Sequence, residues 1–368
     1  MRPARPARPA RPHPAPPDHA PDPAVHCWPV TTELTDPSAA DQPGPPPDIT
    51  VVVPTRNREV LVKRLLDRLD AIDDELVYEL IVIDEQSTDG TSEMLASWRP
   101  RRMRLRVIRH DPPKGLSAAR NAGLAAATAP YIAWIDDDDL TSPDRLRRQL
   151  ELLRAGGTRW SCAAKVDIDD QLRVIGHARC PSLDGFVERL LSFNVLPAAA
   201  QGLLVETALA REIGGFDEGL DAAEDWDFCI RCALVGLPAM LDEPLVGYRT
   251  GVPSMSTNTA KMDRTIAAVF AKHAAERARR GVEPSWVEVH RSLLTADAMN
   301  SRRDGIRRAI RVVRAKPSPK TIAKCLAVLA LPERDAARSR RVRIEQVPAD
   351  WVRAARAWLG PELPASPT

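Results

Sequence analysis

No stretch of 18 apolar residues occurs in this 368-residue chain, so no membrane-spanning helix is expected. The basic N-terminus also lacks the apolar segment of a secretory signal. Net charge is only +2, and no aromatic residues interleave with arginine clusters such as Arg101-Arg102 and Arg279-Arg280. Both facts weigh against a dedicated nucleic-acid binder and favour solvated surface charge. The six cysteines form no disulfide framework, which suits a reducing cytosol and a cytoplasmic protein. Cys229 and Cys232 make a CxxC, but no second pair completes a zinc site, so they read as helix packing residues. The C-terminal stretches are basic and partly apolar, which leaves room for peripheral contact with the inner face of a membrane.

The length suits one large domain or two ordinary ones, and hydrophobic residues make up 44% of the chain, enough for a sizeable core. Residues 1–47 hold 15 of the 34 prolines and predict a disordered or polyproline-like tail. Ile49–Val53 then reads as a strand, followed by a helix with Leu61, Leu65, Leu66 and Leu69 on one face. Further strands are expected at Leu80–Ile83, Leu105–Ile108 and Tyr131–Ile135, with helices near Met94 and over 117–127. Strands apolar on both faces alternating with helices predict an α/β fold with a mostly parallel, helix-covered sheet. Ser142 and Pro143 are expected to start a helix that Gly156-Gly157 ends. Residues 158–250 look mixed, and 259–368 reads as a helical appendage.

Four consecutive aspartates, Asp136–Asp139, close the apolar strand at Tyr131–Ile135. Adjacent carboxylates repel and raise one another's pKa, so the run calls for a cation, and hard divalent ions prefer oxygen ligands. In a parallel sheet, ligands sit beyond the carboxyl ends of the strands, where Pro54-Thr55, Asp84 and Asp136–Asp139 all fall. A second acidic pair, Glu224-Asp225, follows the turn at Gly214-Gly215. A carboxylate there suits proton removal from a hydroxyl, and a metal-bound diphosphate suits departure.

Six segments stand in order: Val53–Arg58, Val82–Gly90, Gly115–Gly123 with its A-R-N-x-G ending, Ile135–Asp139, Gly214–Asp217 and Glu224–Asp227. Over roughly residues 48–258 they resemble family-2 inverting glycosyltransferases of the GT-A fold, bacterial in composition, with Ile135–Asp139 in the place of a DxD motif. The resemblance implies a nucleotide-diphospho-sugar donor, Mg²⁺ or Mn²⁺, and a glycan, lipid-linked or natural-product acceptor. Pro54 and Thr55 would line the base and ribose. Asp84 would accept the N3–H of uracil or thymine, implying a UDP- or dTDP-sugar, unless it caps the following turn. Lys114, Gly115 and Arg120 would approach the diphosphate or ribose, with a structural ion pair as the alternative for Arg120. Asp138 would bind metal, with Asp136 and Asp137 near metal and ribose, although Asp137 and Asp139 form a second D-x-D. Asp225 would be the general base and Glu224 would orient the acceptor. Gly251 stands where many members carry a histidine, and the processive QxxRW-type motif is missing, which favours single additions. A nucleotidyltransferase would need a glycine-rich loop after the first strand, which Pro54–Arg58 lacks, and a non-catalytic nucleotide-sugar binder remains the other rival.

Overall fold

The computed structural model describes residues 32–33, 45–250, 258–330 and 347–360. Cys27, Gly251 and nearly all of the expected tail lie outside the described residues. The strands are β1 (Thr32–Glu33), β2 (Ile49–Thr55), β3 (Tyr78–Asp84), β4 (Met103–Arg109), β5 (Tyr131–Trp134), β6 (Leu140–Thr141), β7 (Trp160–Ile168), β8 (Val174–Ala178), β9 (Leu203–Glu206) and β10 (Ala239–Arg249). The helices are α1 (Glu59–Asp70), α2 (Thr91–Ser97), α3 (Leu116–Ala126), α4 (Arg145–Gly156), α5 (Phe186–Ser192), α6 (Thr207–Glu212), α7 (Glu224–Val235), α8 (Thr259–Lys272), α9 (Ala274–Arg280), α10 (Trp286–Asn300), α11 (Arg302–Ala315), α12 (Pro319–Leu329) and α13 (Ala349–Leu359).

The described strands join one sheet in the order β1-β4-β3-β2-β5-β9-β7-β10-β6, with β8 paired to β7. The block β4-β3-β2-β5 is parallel, with Val51 opposite Leu80 and Ala133. Every residue of β2 and β3 is buried, as expected of strands covered on both faces. On one face α1 inserts Val62, Leu65, Leu66 and Leu69 against Val51, Val53, Leu80 and Val82. On the other face α3 lies so close to β2 that a Cβ at Gly123 would stand 2.3 Å from Val52 Cγ1. The region expected to be mixed is so: β9 runs antiparallel to both β5 and β7, while β10 is parallel to β7. Helix α4 starts at Arg145, later than its Ser-Pro signal, because the Ser142 N–H still donates to Leu245 O beside the β6–β10 pairing.

Helices follow residue 258 as expected, and their attachment is specific. Leu294, Ala309, Val312 and Cys325 form a small core among α10, α11 and α12. Helix α13 instead covers the sheet, packing Trp351, Ala355 and Leu359 on Leu140, Ala164, Val166 and Ile168. The end of α8 is anchored by the fully buried Asp227 of α7, which pairs with His273 Nε2 at 2.8 Å, Lys272 at 3.0 Å and Arg231 at 2.7 Å. Burial opposes the charge of Asp227, but these three partners outweigh it and hold the carboxyl well below the usual range. No described helix is long and apolar enough to cross a membrane.

The α3–β2 contact yields a stability prediction. Gly123→Ala gains helix propensity of about 1 kcal/mol but drives a methyl into a strand that cannot retreat, where overpacking costs about 1–3 kcal/mol. Urea unfolding should show a net loss of stability, and an unchanged or raised midpoint would contradict so close an approach.

Candidate active site

A cleft of about 700 Å³ opens where β2 and β5 end, lined by Pro54, Thr55, the four aspartates, Arg120, Gln201, Glu224 and Asp225. Its other wall includes Met262 and Ile266 of α8 and Val289 and Ser292 of α10. The C-terminal helices thus contribute to the cleft, which no motif in them announced.

The aspartate run alternates in its surroundings. Asp136 and Asp138 keep side-chain exposures of 32% and 17%, whereas Asp137 and Asp139 turn inward. Thr55 Oγ1 donates to Asp137 at 2.7 Å, and Arg58 pairs with both Asp137 and Asp138. Asp139 accepts the Arg249 N–H through one oxygen, while its other oxygen is buried without a partner. Burial pushes the Asp137 carboxyl up to about 7 despite Arg58 and Thr55. Burial, then Asp138 and Asp136, pushes Asp139 well above the usual range. An all-oxygen donor set with excess negative charge and one unpartnered oxygen fits a hard divalent cation. Among the described residues no three acidic, histidine or cysteine side chains already converge on one point, so water would complete such a shell.

Arg120 joins this run to the second acidic pair. Its guanidinium is buried and donates to Asp136 at 2.9 Å and to Glu224 at 2.5 Å. Burial disfavours its charge, but Asp136, Glu224 and Asp225 outweigh that and raise its pKa. The ring of Phe216 lies 5.2 Å from the guanidinium carbon, and Trp134 Nε1 donates to the Arg120 carbonyl. The neighbouring Asn121 clamps the Phe216 backbone, its amide donating to the carbonyl and accepting from the N–H, both at 2.8 Å. Gly215 permits this approach, since a Cβ there would stand 2.5 Å from Asn121 Oδ1 and the backbone is left-handed at φ +68°. Asp225 opens α7 beside Glu224 and is half-buried in the cleft wall. Burial and the Glu224 charge push its carboxyl up to about 7 against the pull of Arg120.

Other expected site residues lie elsewhere. Asp84 is fully buried, and the expected contact with a nucleobase is corrected: its oxygens accept Ser87 N, Ser92 Oγ and Arg109, so it caps the turn behind the cleft. Lys114 has an exposed side chain and, like Gly115, does not line the cleft. Their backbone N–H groups instead donate to Glu85 at 2.8 and 2.7 Å. Glu85, overlooked in the sequence although it sits in a motif, is buried at the cleft and also pairs with His110. Gln201 was missed for lack of any motif: its Oε1 accepts the Asp136 N–H at 3.0 Å, fixing the start of the aspartate run. The thiols of Cys229 and Cys232 are buried in α7, with Cys232 pushed up to about 12 by burial, consistent with packing.

The family model described as glycosyl transferase family 2 matches residues 50–206. The succinoglycan biosynthesis protein ExoO of Rhizobium meliloti is 31% identical over 240 residues, covering 60% of this chain and 67% of ExoO. The chain belongs to glycosyl transferase family 2. The glycosyltransferase is also 26% identical to the uncharacterized glycosyltransferase EpsJ of Bacillus subtilis, over 57% of this chain and 63% of EpsJ. Relatives differ in length, and the chain spans only 42% of the putative teichuronic acid biosynthesis glycosyltransferase TuaG of B. subtilis. Staphylococcus aureus TarS, solved with UDP-GlcNAc, superposes with a TM-score of 0.53 over 84% of this chain and 87% of that one, at 18% identity. The fold of the enzyme is therefore GT-A-like, with a central sheet flanked by helices and further helices at the C-terminus.

Arg120→Ala would leave Asp136 and Glu224 without their shared cation, and removing one partner of a buried ion pair costs about 3–5 kcal/mol. Denaturant unfolding should show that loss. Arg120→Lys, which restores charge without the fork, should recover part of it, and two variants equal to wild type would deny the cross-link its role.

Proposed function

We propose that this glycosyltransferase moves a sugar from a nucleotide-diphospho-sugar, UDP-linked as in the TarS complex, to an acceptor hydroxyl with inversion at C1, using Asp225 as general base. The observation that supports this most is Asp225 itself, set across one cleft from the aspartate run with its carboxyl pushed up to about 7. A base with its pKa near working pH combines a populated carboxylate with a strong drive to take the proton. Asp225 removes the hydroxyl proton while the oxygen bonds to C1 from the face opposite the diphosphate. The C1–O bond to the diphosphate breaks, and its electron pair leaves with the nucleotide. Glu224 orients the acceptor and, held by Arg120, keeps Asp225 basic. Asp138 and Asp136 would hold Mg²⁺ or Mn²⁺, which neutralises charge on the departing diphosphate. Pro54 and Thr55 border the donor, and Asp137, tied to Thr55 and Arg58, shapes that border.

The catalytic unit is assigned to residues 48–258, with residues 259–368 supplying the partly apolar wall at Met262, Ile266 and Val289. That wall suits a glycan acceptor carried on an apolar group. ExoO is named for succinoglycan biosynthesis and TuaG putatively for teichuronic acid biosynthesis, which supports a glycan as the acceptor class.

Asp225→Asn should lower transfer by roughly 10²–10⁴-fold while UDP with Mn²⁺ still raises the melting temperature. Full activity in that variant would remove the base assignment. The carboxylate must be unprotonated to act, so kcat/KM should fall about tenfold per pH unit below about 7 and level off above it. A flat profile from pH 5 to 8 would contradict the raised pKa. For the metal, Asp138→Asn should abolish the thermal shift that Mn²⁺ gives with UDP. A shift equal to wild type would place the ion elsewhere.

A further inference from the structure

We infer that the outer face of α11 and α12 docks on an anionic lipid bilayer. Between residues 302 and 330 stand nine lysines and arginines against the single acid Asp304, a local charge of +8 in a chain of net +2. The three-way division of α11 is that of an interfacial helix. Gly305, Arg308, Ala309 and Val312 face inward. Ile306 and Ile310, four residues apart, are 43% and 46% exposed. Arg303, Arg307 and Arg314 are exposed further round the helix. Helix α12 repeats the division, burying Thr321 and Cys325, exposing Ile322 and Leu326 at 44% and 60%, and carrying Lys320 and Lys324 with no acidic residue.

Singly exposed apolar residues need no explanation. Two i,i+4 apolar pairs on consecutive helices, each flanked by cations, form a pattern. Lys316, Lys320 and Lys324 join Arg291 around a hollow of about 250 Å³, a size suited to a phosphate headgroup. The occupant follows from charge. A second copy would set one face of eight exposed cations against another. A nucleic acid would leave the isoleucines and Leu326 against phosphates with no aromatic side chain on this face to stack on bases. An anionic bilayer satisfies both components, acyl chains taking the apolar residues and headgroups the cations. This inference does not depend on the donor or base assigned above.

Flotation of the full chain with phosphatidylglycerol–phosphatidylcholine vesicles, against pure phosphatidylcholine, tests it. Binding to the anionic vesicles alone is expected, weakening as salt rises from 50 to 500 mM. Each cation near an anionic leaflet strengthens binding by roughly fivefold, so the quadruple variant Arg303→Glu, Arg307→Glu, Lys320→Glu, Lys324→Glu should lose over a hundredfold. Ile310→Ser with Leu326→Ser should lose tenfold or more, with melting temperatures and transfer to a soluble acceptor unchanged in both. No flotation at 50 mM salt, equal flotation with neutral vesicles, or variants that float like wild type would overturn the inference. So would lipid-free self-association abolished by the same substitutions. Failure of transfer with flotation intact would count against the catalytic reading alone.

Discussion

One buried guanidinium holds two acidic clusters together. Arg120 and Glu224 are separated by 104 residues, and Asp136 belongs to a third segment. Without a cation between them, Asp136, Glu224 and Asp225 would face one another in a poorly solvated cleft, and like charges there raise each other's pKa. Arginine suits the position because its planar fork reaches two carboxylates in different directions while a lysine offers a single point charge. The supports of Arg120 are themselves motif residues. Asn121 grips the backbone of Phe216, whose ring lies beside the guanidinium, and Phe216 stacks on Phe228 of α7 at 4.4 Å. The A-R-N, G-G-F and E-D-W-D segments are thus three sides of one cross-link.

The four aspartates, alike in sequence, differ through their neighbours. Gln201 pins the backbone of Asp136, and Arg249 takes the inner oxygen of Asp139. Between them Asp137 and Asp138 share Arg58. The inward pair is buried, with one Asp139 oxygen lacking a partner, while the outward pair keeps part of its surface open and meets Arg120 and Arg58. That division gives Asp136 and Asp138 the greater exposure, at 32% and 17%. It also gives Arg58 a part in the charge that a ligand encounters, since its guanidinium already lies against Asp138.

The parallel half of the sheet was legible because Ile49–Val53, Leu80–Ile83 and Tyr131–Ile135 are apolar on both faces, and the cleft was legible because motifs fall at strand ends. Asp84 shows where such reading stops. A carboxylate at a strand terminus looks the same whether it faces the cleft or the back. What decides is Arg109, brought opposite Asp84 by the β3–β4 register and donating at 2.7 Å. Glu85, one residue later, points to the other side and takes the loop N–H groups at 114 and 115. Gln201, Met262 and Ile266 carry no local signal, because their placement depends on packing between segments that no periodicity relates.

The last aspartate of E-D-W-D extends this dependence to the C-terminal helices. Asp227 sits one turn or less from Asp225 on α7, yet its partners Lys272 and His273 end α8. Its depressed pKa keeps it charged wherever the enzyme is folded near neutral pH, so the link does not titrate with Asp225. Trp226, between them, donates to Leu190 O and packs edge-on against Phe270 of α8 at 5.2 Å. Four consecutive residues therefore tie the Arg120 cross-link, the cleft carboxylate and the α8 wall to a single helical turn. A shift of α8 would be felt at Asp225 through two residues of backbone, which makes the helices after residue 258 part of the geometry of the site.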